Sequence, residues 1–207
     1  HGWGGPALLE SYQAERRPVH QYVIGEAVAN HAVLPNHLWR AQIEADGSQG
    51  EHIRQEVGDL IRNAKAREFH ALGVVKGYRY EDSPVLVPES GTLPPLDWRE
   101  YKPSAHPGCI APHAWLQDGS SLYDHFGDEY TLLCTQGSID SGAEEILGAA
   151  RALGVPVQPL AAPSPGLSAL YQARYALIRP DQHVAWRGDG SATGARIMAR
   201  IAGMSSG

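Results

Sequence analysis

Two histidines and one cysteine stand close together in the middle of the chain. His106, Cys109 and His113 fall within eight residues, and imidazole nitrogen and thiolate sulfur are ligands that zinc prefers in proteins. No fourth ligand follows at the usual spacing, and Pro107 and Pro112 are typical of an extended connection. The sequence therefore predicts no metal site.

Cys109 and Cys134 are the only cysteines, and 25 positions separate them. A dithiol oxidoreductase requires two thiols within disulfide reach, one of them an exposed thiolate of low pKa. Cys134 follows Leu132 and Leu133 in an apolar run and has no second cysteine two residues later. We expect a buried, inert thiol. Two free cysteines also fit a reducing compartment, so the predicted location is cytoplasmic.

Two glycine-rich segments and one Ser-His-Asp set contain residue types that occur in phosphate-binding or catalytic sites. Residues 2–5 and 188–194 lack the spacing and the neighbouring elements of a phosphate-binding loop. Ser121, Asp124 and His125 are adjacent, but no nucleophile elbow accompanies them. The sequence therefore predicts no catalytic, cofactor-binding or metal-binding residue.

Charge and hydropathy exclude two classes of partner. The 207 residues include 17 Lys and Arg against 23 Asp and Glu, giving a net charge of −6. Nucleic-acid binders usually carry a basic excess, and a membrane span requires roughly 18 consecutive apolar residues, which this sequence lacks. We expect neither a nucleic acid nor a membrane as partner.

The first third of the chain is predicted to be helical. The spacing of apolar residues predicts a helix over 6–34, which Pro18 should kink or split. A short helix is expected over 36–45, ended by residues 46–48. A longer amphipathic helix is expected over 50–71, with Gly73 as its C-cap.

The last half of the chain alternates between strand and helix patterns. Residues 129–135 predict a buried strand and 141–153 a helix, with Ser141 as N-cap and Glu144 completing a capping box. The proline-containing segment 155–160 predicts a short or edge strand. A hairpin over 174–187 and a helix over 191–202 follow, and a short strand is expected at 85–87.

This order of elements predicts an α/β fold. Strand, helix, strand, hairpin and helix match the core of a thioredoxin-like fold. Prolines concentrated between residues 84 and 112 place the domain boundary there. The predicted division is a helical segment over 1–75, an extended connector over 76–104 and a thioredoxin-like domain over 105–207. We expect the helices of residues 1–72 to lie apart from the core of that domain.

Several segments resemble one enzyme family in the same order along the chain. Residues 5–19 and 72–85 resemble landmarks at the end of the flavin domain in FAD-dependent aromatic hydroxylases. Residues 107–113 and 116–127 resemble the entry into the C-terminal domain of these enzymes, and 178–187 resembles a hairpin near their end. These single-component flavoprotein monooxygenases include phenol, resorcinol, 3-hydroxyphenylpropionate and polyketide hydroxylases.

The resemblance implies that this chain is the C-terminal part of a longer hydroxylase. The parent would use FAD and NAD(P)H on an aromatic small-molecule substrate, and its flavin-binding part would precede His1. In this family the C-terminal domain is thioredoxin-like without redox cysteines, and residues 1–75 would be the helical tail of the flavin domain. This part would be structural or serve in a homodimer. The alternatives are a non-catalytic thioredoxin-like interaction module and an independent thioredoxin-like binding protein. The helices over 5–71 argue against the independent protein, because they need something upstream to cover.

The residues that carry the resemblance are expected to have structural roles. Asp181 should accept backbone N–H bonds in its turn, Trp186 should pack on the hairpin, and Asp118 suits a turn. Ligand contacts by Arg179 or His183 are the competing hypothesis. The predicted structural residues are Tyr80, Pro84, His113, Asp118, Tyr123, Arg179, Asp181, His183 and Trp186.

Overall fold

Three helices occupy the N-terminal part of the chain in the computed structural model, which describes residues 2–32, 39–91, 93, 95–162, 164–190 and 193–204. They are α1 (Pro6–Ala32), α2 (Gly47–Phe69) and α3 (Leu72–Lys76). Pro18 lies inside α1 without ending it, so it does not split the helix, and the kink expected as the other outcome stays a prediction. A proline removes one backbone hydrogen bond, and the buried neighbours Glu15 and Val19 hold the helix on either side. No helix among these residues is both long and apolar enough to cross a membrane.

Two predicted helix boundaries are wrong. The expected helix over 36–45 falls partly on residues 33–38, outside the described residues, and 41–44 form turns. Asp46 does not follow a helix but is the N-cap of α2. α2 ends at Phe69 with His70 as its C-cap, and Gly73 lies inside α3. Glycine is required there because a Cβ would stand 1.7 Å from the carbonyl oxygen of Asp97.

Four strands form one mixed sheet in the order β2-β1-β3-β4. They are β1 (Tyr130–Cys134), β2 (Val157–Ala161), β3 (Tyr175–Ile178) and β4 (Val184–Gly188). β1 pairs in parallel with β2 and antiparallel with β3, and β3 pairs antiparallel with β4. The predicted α/β class, the hairpin and the edge position of β2 are confirmed.

Three helices accompany the sheet. They are α4 (Ser141–Leu153), α5 (Leu167–Tyr171) and α6 (Gly194–Ile201). The sequence predicted α4 and α6 but not α5. The strand expected at residues 85–87 does not form. Val87 N–H donates to the carbonyl of Ala185 at 3.0 Å, but the prolines on either side offer no further N–H to extend a ladder.

The start of α4 corrects another prediction. Its N-cap is Asp140 rather than Ser141, and the Asp140 carboxylate accepts from the N–H groups of Gly142 and Ala143, each at 3.1 Å. Asp140 lies one residue earlier and has the extended backbone that a cap requires. Gly154 ends the helix in the left-handed conformation, with φ 70°.

Hydrophobic side chains cover both faces of the sheet. Leu132 and Cys134 belong to one core cluster, together with Ile146 of α4 and Met198 of α6. Leu133 points to the opposite face and belongs to a second cluster. Successive side chains of a strand alternate between faces, and β1 is buried along its whole length. The apolar run of β1 therefore reflects a central strand with a core on each side.

The chain divides into two compact units. The first comprises residues 1–19, 78–94 and 102–207, and the second comprises 20–77 and 95–101. Gly5 N–H donates to the Ala202 carbonyl at 2.7 Å, and Trp3 packs edge-on against Tyr130. The expectation that residues 1–72 lie apart from the sheet core is therefore wrong for the first 19 residues. The division into 1–75, 76–104 and 105–207 concerns the domains of a longer protein and stays a prediction.

Candidate functional site

Four of the predicted residues meet at the turn of the β3–β4 hairpin. The Gln182 N–H donates to the Arg179 carbonyl at 2.9 Å and closes the turn. Asp181 Oδ1 accepts from the His183 backbone N–H at 3.3 Å, as its turn position predicts. The His183 imidazole stacks on the Tyr80 ring with centroids 4.2 Å apart. The hairpin thus brings together side chains that lie about 100 positions apart in sequence.

Arg179 also binds a buried carboxylate on α1. Its Nη1 and Nη2 donate to Glu15 Oε1 and Oε2 at 2.5 and 2.8 Å. The Ser83 hydroxyl donates to the same Oε1 at 2.5 Å. Only 3% of the Glu15 side chain and 13% of the Arg179 side chain are exposed. A bidentate guanidinium–carboxylate pair of this kind fixes orientation as well as distance.

Arg179 neutralises a second carboxylate at the turn. Its Nη2 lies 3.0 Å from Asp181 Oδ2, and its guanidinium lies over the Tyr80 ring, 5.2 Å from the centroid. The Tyr80 hydroxyl donates to Asp181 Oδ2 at 3.3 Å and accepts from Arg16 Nη1 at 3.2 Å. Two carboxylates and two guanidinium groups therefore form one network, which we call the Glu15–Arg179 network.

Burial and charge shift the pKa values of the network. Burial alone would raise the pKa of Asp181, but hydrogen bonding to His183 and the charge of Arg179 outweigh it and lower that pKa to about 2. Burial, and then the charge of Asp181, raise the pKa of Tyr80 to about 12. Burial opposes the charged form of Arg179, but the Glu15 and Asp181 carboxylates raise its pKa overall. At neutral pH Asp181 is therefore ionised, Tyr80 is neutral and Arg179 is positively charged, so the charges of the network oppose one another in sign.

The Glu15–Arg179 network is arranged for structure rather than for catalysis. A carboxylate with a pKa near 2 is a poor base at neutral pH, and the Arg179 donors face Glu15 and Asp181. Only 1% of the His183 side chain is exposed. These contacts are compatible with the structural role predicted for Arg179 and His183, which stays a prediction alongside the competing ligand contacts.

A second group of predicted residues surrounds the 3-10 helix Leu122–His125. His113 Nε2 lies 3.0 Å from the Ser121 hydroxyl, and the Tyr123 hydroxyl donates to the Ala111 carbonyl. Asp118 Oδ1 accepts from the Ser120 N–H at 3.0 Å and from its hydroxyl at 2.6 Å. The first two contacts join residues 111–113 to residues 121–123, and the Asp118 contacts lie within the turn between them.

The same region contains serine, histidine and aspartate, but not in the order of a catalytic triad. Ser121 and Asp124 form the reciprocal capping box of the 3-10 helix. His125 Nε2 lies 2.7 Å from the Ser120 hydroxyl, and Asp118 contacts that serine. In a triad the carboxylate instead orients the histidine, which activates the serine. The arrangement therefore matches the sequence expectation of turn chemistry.

The two remaining predicted residues lie at the core and at its border. Trp186 is 5% exposed, belongs to the core cluster and faces Leu177 across the hairpin. Pro84 is half-buried and follows Ser83, whose hydroxyl holds Glu15.

Sequence reasoning missed Glu15, Arg16 and Ser83. Ser11, Glu15 and Val19 are buried at intervals of four along α1, which is the spacing of one helix face. A glutamate between other buried positions on such a face is a buried carboxylate that needs a cation. No sequence signal could identify Arg179 as that cation, because the partners lie 164 positions apart.

The described thiols form no disulfide, and the described histidines and thiols form no candidate metal-ligand group. Cys109 and Cys134 are both free, and burial raises the pKa of Cys134 to about 11. His106 Nδ1 donates to the Pro107 carbonyl at 3.0 Å. Within the described ranges no three His, Cys, Asp or Glu side chains gather in a group that could hold a metal ion.

Comparison with known proteins places this architecture among flavin enzymes. Residues 104–204 match the family described as "Aromatic-ring hydroxylase, C-terminal". The FAD-dependent monooxygenase opdD of Penicillium oxalicum is 30% identical over 205 residues, which cover 91% of this chain and 37% of the relative. The solved structure of native and K252c-bound RebC-10x is 35% identical, with a TM-score of 0.87, and the match covers 99% of this chain and 39% of that one.

A third relative is the flavin-dependent monooxygenase PieE, solved in complex with FAD and substrate. It is 28% identical with a TM-score of 0.80, and the match covers 99% of this chain and 41% of PieE. The chain thus spans about two fifths of the length of the relatives it matches.

Proposed function

We propose that this chain, whose residues 104–204 match the aromatic-ring hydroxylase C-terminal family, is the C-terminal part of a longer FAD-dependent monooxygenase. The parent would hydroxylate the ring of a phenolic or polyketide substrate. The observation that carries the proposal is the match of nearly the whole chain to about two fifths of flavin monooxygenases.

Exposed apolar side chains among residues 9–69 support an upstream flavin-binding part. The exposed fraction is 85% for Leu9, 74% for Trp39 and 75% for Phe69. The amphipathic stripe predicted for α2 is partly uncovered, with Leu60 and Ile61 exposed at 37% and 42%. Apolar side chains exposed to this extent are available for contact with another part of a protein. The upstream part of the parent is the proposed cover.

The start of α4 does not fit the pyrophosphate of FAD. A flavin dinucleotide places its pyrophosphate against free N–H groups at the start of a helix that follows a strand. In the strand–turn–helix unit β1–α4, the Asp140 carboxylate already accepts from the Gly142 and Ala143 N–H groups. A fixed negative charge at that point would repel a phosphate. We therefore assign flavin binding to the upstream part.

The domain division, redox inertness, location, reductant and oligomeric state are further parts of the proposal. The strand order and directions of the sheet support a thioredoxin-like domain over 105–207, preceded by the helical tail over 1–75 and the connector over 76–104. Two free, high-pKa thiols support its redox inertness and a cytoplasmic location. NAD(P)H as reductant and a homodimer belong to the same proposal.

Within the parent, this part would act through structure. The flavin would supply the oxygen chemistry, and the protein would position the substrate and exclude water. The Glu15–Arg179 network fixes the third turn of α1 against the hairpin. This contact orders the N-terminal half of the helix. The alternative, a non-catalytic interaction module, shares this structural role without the upstream enzyme.

The test is activity of the source protein. The protein is purified from its natural source, and oxidation of NADH or NADPH is followed with phenol, resorcinol and polycyclic phenols in turn. The proposal expects flavin-dependent reductant consumption with one atom of O₂ entering the ring. A flavin-free protein without such activity would favour the interaction module.

A further inference from the structure

A crevice of about 770 Å³ lies within the first compact unit and borders the Glu15–Arg179 network, because Tyr80 and Ser83 are among its lining residues. The segments 79–91 and 106–107 and one side chain of α6 line it. Its volume falls in the range of small-molecule sites. The apolar wall includes Leu86, Val87 and Pro107.

Most charged groups of the crevice are already paired within the protein. Arg79 contacts Glu81 at 2.7 Å. Arg187 donates from Nε and Nη2 to the two oxygens of Glu89 at 2.8 and 2.7 Å. The carboxylates of Glu81 and Glu89 are thus each matched by a guanidinium. Asp82 lies on the exposed side.

Arg200 differs from the other cations of the crevice. Its Nε donates to the Leu86 carbonyl, which fixes the guanidinium plane. Among the described residues, its terminal nitrogens Nη1 and Nη2 have no hydrogen-bond or ion-pair partner. The side chain is half-buried and lines the crevice. A guanidinium held by one edge presents its other edge as a two-pronged donor, which matches a carboxylate.

We propose that this crevice binds a small carboxylate with an apolar body, such as an aromatic acid. Arg200 binds the carboxylate through Nη1 and Nη2. The apolar body lies along Leu86, Val87 and Pro107. The site is independent of the proposed function, because it rests only on side chains of this chain.

The test compares two ligands on the unmodified chain. 2-Naphthoate and its neutral analogue 2-naphthamide share one apolar body and differ in charge. We expect 2-naphthoate to bind in roughly the millimolar range or tighter, and about tenfold more tightly than the amide, because hydrogen bonds to charged groups are the stronger ones. Equal affinities, or no binding of naphthoate at about 10 mM, would overturn the proposal. Isothermal titration calorimetry measures both.

Three variants identify the binding group. Arg200→Met should weaken naphthoate binding about tenfold and leave the amide unchanged. Arg196→Gln is the matched control, since Arg196 is an exposed arginine of the same helix that does not line the crevice, and binding should change less than about twofold. Asp82→Asn should tighten naphthoate binding, because it removes a like charge from the crevice.

Each variant is checked for folding by circular dichroism. Naphthoate binding that survives Arg200→Met in a folded protein contradicts the assignment, as does an equal loss in Arg196→Gln. If Arg200→Met does not fold, two measurements still test the proposal. They are the affinities of the unmodified chain for the two ligands and the affinity of Asp82→Asn for naphthoate. Weaker naphthoate binding to Asp82→Asn would then reject the site.

Discussion

Arg179 holds both carboxylate oxygens of Glu15, a residue 164 positions earlier in the sequence, at 2.5 and 2.8 Å. Both side chains are largely buried. The contact joins the third turn of α1 to the hairpin that ends the sheet. Because a buried charge is costly without its partner, this pair links the folding of the first 19 residues to that of the last 30.

Glu15→Gln should destabilise the protein. The substitution leaves Arg179 buried with only Asp181 as counter-charge, so we expect the free energy of unfolding to fall by about 3 kcal/mol. Chemical denaturation followed by circular dichroism measures this change. Glu10→Gln is the matched control on the same helix, since Glu10 is exposed, and it should cost less than about 0.5 kcal/mol.

A double variant separates the interaction between Glu15 and Arg179 from the cost of burying each charge. Glu15→Leu with Arg179→Met removes both charges and should be less destabilised than either single variant, because apolar replacement of a buried pair is often neutral. If the effects of the single variants simply add, the two residues do not interact as the structure indicates.

Asp181→Asn should change how stability depends on acid. The pKa of Asp181 is about 2 in the folded protein, against about 3.9 for an unfolded aspartate. A lowered folded pKa contributes stability that is present above about pH 4 and is lost as pH falls toward 2. The unmodified chain should therefore lose stability more steeply over that interval than Asp181→Asn. Parallel profiles from urea denaturation at pH 2–5 would reject the pKa assignment.

The cap of α4 can be tested by two adjacent substitutions. Asp140→Ala removes the acceptor for Gly142 and Ala143 and the hydrogen-bond partner of the Tyr175 hydroxyl. We expect it to cost about 1–2 kcal/mol of unfolding free energy. Ser141→Ala should cost less than about 0.5 kcal/mol. Thermal denaturation measures both variants. A larger loss of stability in Ser141→Ala than in Asp140→Ala would show that Ser141 is the cap.

Cys134→Ser should affect stability and not activity. The thiol is 1% exposed, and burial raises its pKa to about 11. A hydroxyl in its place lacks a good partner and should cost about 1–3 kcal/mol. Insulin reduction with dithiothreitol should show no turnover above background. Turnover that disappears in Cys134→Ser or Cys109→Ser would make the chain a dithiol enzyme.

Elements with strong local patterns were predictable. β1 and α4 each have a long apolar signal with clear ends, and the Arg179–Gln182 turn has proline followed by aspartate. The order in which the four strands pair is restricted by these elements. A β–α–β unit makes β1 and β2 parallel, a hairpin makes β3 and β4 antiparallel, and few orders of the strands in a sheet satisfy both.

Contacts between distant segments were not predictable. Ser83 and Arg179 hold Glu15, but nothing in the sequence around any one of them names the others. The same holds for Gly73, whose place in α3 depends on the close approach of Asp97. Predicting Ser141 as cap failed because both Asp140 and Ser141 suit that position, and only the backbone decides between them.

The most direct test of the central proposal is the intact mass and flavin content of the protein in its natural source. Mass spectrometry of the protein, followed by peptide mapping across His1, gives both its length and its upstream sequence. We predict a mass between two and three times the 22.4 kDa of this chain, one bound FAD and an upstream Gly-x-Gly-x-x-Gly segment. A flavin-free protein of 22.4 kDa would contradict the account.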